Sequence, residues 1–409
     1  MLSLTRQPID DPAEGAARLL SRLGVFLLFV AAQLAPILAL RTVYILLPIG
    51  AALLLLGASL TPGERRDHSL WEFAGSPVAV SALFLVLWAG LSLAWTPFGS
   101  GPAERFAKSA GTLALVAVVC FALPRRTKTS NLNLLPIGAG VAALTLIVIA
   151  SQTHASKTVE DILDVGVLAR VGLGLALLVW PAMGALAVRD RWPWAGALGL
   201  ATVAACYICA APNALPALAV GALVFAGSFG RSRTAAAVLA VVCVAIIALA
   251  PILALVVHFL IDGRGPGFLR PLDVWGRMVA SDGVRALVGH GYGAAIFGFF
   301  GGYLDLNSPR SFVFQLWFDL GAIGVAAFAL VVAGSFRLAG MMRPALAPFL
   351  LAGLATGLTI CVMGPAAEQL WWFTLAGLDA IAYALVVKGQ FRKRRPRVPL
   401  NVGGAPDAA

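Results

Sequence analysis

Charge is what this chain has least of. Of its 409 residues, 12% are Asp, Glu, Lys or Arg, while 60% are hydrophobic. A soluble domain cannot bury that much apolar surface, so the composition points to a chain that crosses a membrane repeatedly. Regular alternation of polar and apolar residues is also missing. The apolar runs are continuous, which excludes the strands of a membrane barrel and leaves an all-α, polytopic helical fold. Acids are scarcer than bases, 19 against 30, for a formal net charge of +11. In a membrane protein that excess reports orientation, and no nucleic-acid partner is implied. Cysteine is sparse: Cys120, Cys206, Cys209, Cys243 and Cys361 all lie inside apolar runs. Cys206 and Cys209 are spaced as C-x-x-C, but no other Cys or His lies near in sequence to complete a zinc site. They read as small core residues, and neither metal nor cofactor is expected. There is no soluble domain, tandem repeat or nucleotide-binding loop. No cleavable signal is evident, since the first apolar run leads straight into a second.

A membrane helix needs about 17–25 apolar residues. About twelve runs answer that description: 24–40, 42–60, 77–95, 107–123, 134–150, 165–188, 193–211, 215–229, 235–259, 312–334, 345–364 and 371–387. The fourth and eighth are short. With the N-terminus in the cytoplasm, the inward pieces carry Arg6, Arg18 and Arg22; Arg65 and Arg66; Arg125, Arg126 and Lys128; Arg189 and Arg191; Arg231 and Arg233; and Arg337 and Arg343. The tail adds Lys388, Arg392, Lys393, Arg394, Arg395 and Arg397. Most of the 30 basic residues then face inward, as the positive-inside rule expects. This predicts a single transmembrane domain over 1–387, both termini cytoplasmic, and a large outer loop over 260–309. In a Gram-negative cell that loop lies in the periplasm. The tail over 388–409 is basic, then rich in Pro and Gly, and reads as disordered near anionic lipid headgroups.

The outer loop is the only long stretch without a membrane-length apolar run. It holds Arg264, Arg270, Arg277 and Arg285, with Arg310 just beyond it. Arginine presents a planar fork of donors suited to phosphate oxygens and stays charged at any relevant pH. Arg270 and Arg277 are seven apart, so if 272–287 is helical they share one face, with Trp275 and Met278 nearby. The plainer reading of that helix is an amphipathic segment with its arginines at headgroups. Gly289-His290-Gly291-Tyr292-Gly293 reads either as a turn that brings backbone N–H groups to an anion or as a plain loop exit. Arg170 sits a few residues inside the sixth run. Burying an arginine in a span costs about 2.5–3.5 kcal/mol on insertion scales, so it either faces a cavity or snorkels to the outer interface near Asp164.

With these residues in view, the chain resembles the O-antigen ligase and Wzy-type polymerase superfamily, bacterial inner-membrane glycosyltransferases with about a dozen spans and one large periplasmic loop. Leu168-Ala169-Arg170, then Leu175 through Trp180-Pro181, resembles a family stretch of Asn-Arg followed by an apolar run ending in Trp-Pro. Arg270 five residues before Trp275 resembles the loop's Arg–Trp element. The Gly289–Gly293 turn resembles its Gly-x-Gly-x-Gly. Pro309-Arg310-Ser311, then Gln315-Leu316-Trp317-Phe318-Asp319-Leu320-Gly321, resembles Pro-His-Asn followed by Gln-Leu-Trp, an acidic residue and Leu-Gly. Gln369 with Trp371-Trp372 resembles the element that opens the last span. The chain departs from the family at Arg310, where His is usual, at Ser311 for Asn, at Ser308 for an upstream His, and at Ala169 for Asn.

The resemblance implies passage of a glycan from a polyprenyl (undecaprenyl) diphosphate donor to a hydroxyl of lipid A-core or of another glycan, among membrane lipids and without a metal. It implies Arg170, Arg270 and Arg277 as diphosphate ligands, and Arg310 as a site residue that binds donor phosphate or acceptor. Arginine is no general base near neutral pH, so the base is sought among His290, Asp305 and Asp273. Two other readings stay open. One is a catalytically silent relative that binds lipid-linked glycan or assists polysaccharide assembly. The other is a lipid-linked sugar transporter, although no inverted repeat or pair of broken helices is visible.

Overall fold

The computed structural model describes residues 12–39, 42–60, 75–124, 129–153, 159–211, 213–261, 266–364 and 370–389. The expectations for Arg264, Gln369 and the tail past Gly389 lie outside them. The fold is all-helical. In chain order, α1 (Pro12–Phe26) runs through a π-turn at Leu27–Ala31 into α2 (Ala32–Leu38). Next come α3 (Thr42–Ser59), α4 (Pro77–Leu91), α5 (Gly101–Ala122), α6 (Leu134–Thr153), α7 (Val159–Ala187), α8 (Trp192–Ile208), α9 (Ala214–Ser228) and α10 (Ser232–Ile261). The outer segment forms α11 (Arg270–Ser281), α12 (Arg285–Val288) and α13 (Ala294–Phe300). The chain ends on α14 (Phe312–Met341), α15 (Ala347–Met363) and α16 (Leu370–Val387).

Among the described residues, eight helices are long and apolar enough to cross a membrane, and four more apolar helices are shorter. Together they fall on the expected runs one for one, so the protein is a multi-pass membrane protein. Continuous apolar runs become helices because a lipid-embedded backbone must satisfy its own hydrogen bonds. The centre of the bundle is α7. In its span, 78% of the apolar window is buried, against at most 39% in any other long span. It packs on α6, α8, α15 and α16.

Without a hydrophobic drive between helices in lipid, close packing relies on small residues. Gly138 of α6 lies so near the π-turn that a Cβ would sit 1.8 Å from the Phe29 carbonyl oxygen. Prolines inside spans leave carbonyls unpaired, and one is answered across the bundle. Pro251 of α10 has no N–H for the Ile247 carbonyl. The Trp317 indole of α14 donates to that oxygen at 2.9 Å. The start of the tail is anchored: the Lys388 ammonium donates to the Cys120 and Leu123 carbonyls at 2.9 Å each, closing the C-terminal end of α5.

Candidate functional site

The segment after α10 folds back on the bundle at two places, and each brings chemistry-bearing residues together. The first is the contact of α11 with the last turns of α10. Gly276 permits it: a Cβ there would lie 2.2 Å from the Ala254 carbonyl oxygen. This close approach seats Asp273, only 4% exposed, against His258. Asp273 Oδ1 is 2.7 Å from His258 Nδ1, and Asp273 Oδ2 accepts from Arg277 Nη2 at 3.3 Å. An ionised carboxylate only accepts hydrogen bonds, so in the neutral imidazole Nδ1 carries the proton and Nε2 keeps its lone pair. Arg270, Asp273 and Arg277 are spaced three and four apart and share one helix face. Both arginines are exposed. The opposite face of α11 is core: Trp275 is buried edge-on against Phe314 of α14, 5.5 Å between ring centroids. Trp275 was expected beside the arginines; the helical phase turns it away from them.

The second place is a break in α14. Gly321 has φ 62° and ψ −169°, a conformation open essentially to glycine alone. A Cβ there would also lie 2.4 Å from the Leu287 carbonyl oxygen. The break exposes carbonyls, and the glycine-rich turn takes them. His290 N donates to Phe318 O at 2.8 Å and Gly291 N to Asp319 O at 2.9 Å. The Trp88 indole takes Leu320 O at 3.0 Å. The Asp319 carboxylate accepts from Gly293 N at 2.9 Å and Ala295 N at 2.7 Å, capping α13. The turn's N–H groups, read from sequence as a possible anion cradle, are therefore spent within the protein: those of His290, Gly291 and Gly293 on the broken helix, that of Gly289 on the Arg285 carbonyl, and that of Tyr292 on Ser92 Oγ at 2.9 Å.

This docking completes a cleft between α4, α5 and α14. Its volume is about 130 Å³, and it is lined mainly by apolar side chains, with Arg105, Ser109, Tyr292, Gln315 and Asp319 at its polar end. The Tyr292 hydroxyl donates to Ser109 Oγ at 3.2 Å and also faces the Arg105 guanidinium. Burial pushes the Tyr292 phenol up, against the pull of Ser109 and Arg105.

Arg170 is half-buried in a different cleft, with Gln33, Pro36 and Trp371. Gln33 there has its Oε1 buried without a hydrogen-bond partner. Neither Arg270, Arg277 nor Arg310 lines that cleft. Arg310 is exposed, its guanidinium 3.9 Å over the Phe299 ring. Asp305 is exposed and accepts from Asn307 N at 2.8 Å, a local turn contact. His290 lies flat on Phe318, 4.1 Å between centroids. Its Nδ1 is 3.2 Å from Phe318 O, and its Nε2 is 3.6 Å from Asp282 Oδ1. Burial pushes the Asp282 carboxyl up, with His290 and Arg285 pulling the other way.

Sequence reasoning named Asp273, Arg270 and Arg277 but not His258 as their partner. It missed Arg105 altogether. The signal for the first was slight: His258 closes α10, 15 residues before Asp273. Arg105 lay hidden in the charged first turns of α5, among Glu104 and Lys108. No family model matches the chain, and no curated protein or solved structure matches it either.

Proposed function

We propose that the protein transfers a glycan from a polyprenyl-diphosphate donor to a hydroxyl acceptor at the outer face of a bacterial inner membrane, in the manner of an O-antigen ligase or polysaccharide polymerase. One observation carries this reading. A buried carboxylate holds an imidazole in the form of a general base, and two arginines flank that carboxylate on the same helix face. Phosphate binding and proton removal are thereby available side by side.

In the proposed reaction, Arg270 and Arg277 bind the diphosphate. The acceptor oxygen forms its bond to the anomeric carbon as the bond from that carbon to the diphosphate oxygen breaks. The acceptor proton passes to His258 Nε2, and the leaving electron pair goes to the diphosphate. Guanidinium groups that hold the departing anion better than the bound ester lower the barrier. Asp273 orients His258 and offsets the charge of the imidazolium that forms. His258 thus supplies the base that Arg310 cannot, and Arg310 stays in the proposal as a donor or acceptor ligand beside the start of α14.

The test is glycan transfer by purified protein in nanodiscs supplied with a polyprenyl-diphosphate oligosaccharide. Wild type should form a new glycosidic bond. His258→Gln should lower kcat by about 10²–10⁴-fold with little change in KM, the usual worth of a general base. Arg277→Ala should lower kcat as well as raise KM, because its guanidinium holds the departing diphosphate better than the bound ester. Full activity in His258→Gln would remove the dyad from the reaction. Donor binding without turnover in wild type would favour the silent relative.

A further inference from the structure

A cavity between α10, α11 and α14 has no part in the reaction as written above. It holds about 120 Å³ and is walled by Pro251, Leu255, Trp275, Met278 and Trp317, with Asp282 as its one charged lining residue. We propose that it binds the headgroup of an outer-leaflet phospholipid that carries a primary amine, with the ammonium at Asp282 and the phosphate at Arg285.

Asp282 is an acid in an unfavourable place. It caps the C-terminal end of α11, where the helix dipole is already negative. Its side chain is largely buried, and Arg285 and His290 offset that burial only in part. The nearest ring atom, His290 Nε2, is 3.6 Å from Oδ1, longer than a hydrogen bond. His290 Nδ1 donates to Phe318 O at 3.2 Å, so in the neutral imidazole Nε2 keeps its lone pair. Two acceptors then face each other with no donor between them. An ammonium has three N–H donors and can serve both.

The walls select the class of cation. Indole rings suit an organic cation, whereas one carboxylate and one imidazole fall short of the oxygen shell that a hard metal ion takes. A cavity of about 150 Å³ accepts benzene, so this one accepts an ethanolammonium stem. Arg285 lies three residues beyond Asp282, is exposed, and is close enough to pull on the Asp282 carboxyl. An acid in the cavity with a base beside it matches a phosphoethanolamine group end for end. The bilayer is the source: Pro251, Ile252 and Leu255 belong to the span of α10, and Ile252 on the cavity wall is exposed. Neither a glycan nor a diphosphate is needed for this binding, which holds whether or not the protein performs the transfer.

The experiment is native mass spectrometry of the full-length protein in detergent, titrated with short-chain phosphatidylethanolamine, phosphatidylglycerol and phosphatidylcholine. Phosphatidylglycerol lacks the amine, and phosphatidylcholine lacks the N–H. Phosphatidylethanolamine should bind about tenfold or more tighter than either, the worth of one charged hydrogen bond. Asp282→Asn should erase that preference. Ala286→Phe, which fills the cavity, should erase it with Asp282 intact. Arg285→Gln should weaken phosphatidylethanolamine binding, and so should His290→Phe, which keeps the stack on Phe318 but loses Nε2. Excess O-phosphoethanolamine should not displace the lipid. Equal binding of the three lipids by wild type, or an unchanged preference in Asp282→Asn or Ala286→Phe, would overturn the proposal. Tighter binding in His290→Phe would also overturn it, by showing that a protonated imidazole already occupies Asp282. Full displacement by O-phosphoethanolamine would overturn the bilayer source, by reducing the site to a pocket for a soluble amine.

Discussion

Asp273 has two oxygens with two kinds of partner, and their exposures differ. The His258 side chain is 21% exposed and Arg277 63%. A pair as open as Asp273–Arg277 contributes little to stability once solvent screens it. The imidazole contact is the one that matters for chemistry, because it sets which nitrogen carries the proton. Asp273→Asn keeps the shape and removes the charge. Transfer should fall about 10²-fold or more in kcat if orientation and charge both count. The melting temperature should move less than in Asp273→Ala, where a half-buried His258 nitrogen loses its partner, a loss of about 1 kcal/mol. Asp282 makes the contrasting case. Burial raises its pKa, so the fold disfavours its ionised form. The resulting penalty is present at pH 7. It shrinks as pH falls through the raised pKa, and it is gone below the ordinary carboxylate value near ~4. Asp282→Asn should therefore raise thermal stability at neutral pH, with the gain fading toward pH ~4. A gain that is flat with pH would assign the effect to packing.

At the scale of elements, two broken hydrogen-bond ladders are answered by other elements: the break at Pro251 ties α10 to α14, and the break at Gly321 seats the outer segment. The Trp317 indole answers the first. Trp317→Phe should cost about 1–3 kcal/mol by orphaning the Ile247 carbonyl. Adding Pro251→Ala should recover much of that, because alanine at 251 supplies the missing N–H. Denaturation of the single and double variants measures the coupling, and additive losses would show that the indole acts only by bulk. Such pairings mark where reading the sequence stops. Every span was legible, because a run of apolar residues has one solution in lipid. The shared face of Arg270 and Arg277 was legible from their spacing of seven. The His258–Asp273 contact was not, because it depends on how closely two helices approach, and Gly276 looks like any other glycine in sequence. The glycine-rich turn was visible as a turn, but its partner, the break at Gly321, was hidden inside an apolar helix. Arg105 lay in a charged first turn whose ordinary reading is a span end.

For the whole molecule the decisive property is sidedness, since the proposed reaction would use its lipid-linked donor on one face only. Proteins of this composition carry that information in their turns, and here the basic residues concentrate on alternate ones. Parity offers a test that does not presuppose which side is inside. Ser59 ends α3 and Ser281 ends α11, and both are exposed. The apolar helices α4 to α10 lie between them, an odd number of crossings if each of them spans. Ser59→Cys and Ser281→Cys should therefore react with a membrane-impermeant maleimide from opposite sides. The background is low, because four of the five native cysteines are buried and Cys120 is partly so. In intact cells with a permeable outer membrane, Ser281→Cys should label at once and Ser59→Cys only after lysis. Labelling of both from the same side would mean that one short helix, such as the 15-residue α9, does not cross. The reverse pattern would put Arg270, Arg277 and His258 in the cytoplasm, where a periplasmic glycan transfer has no use for them.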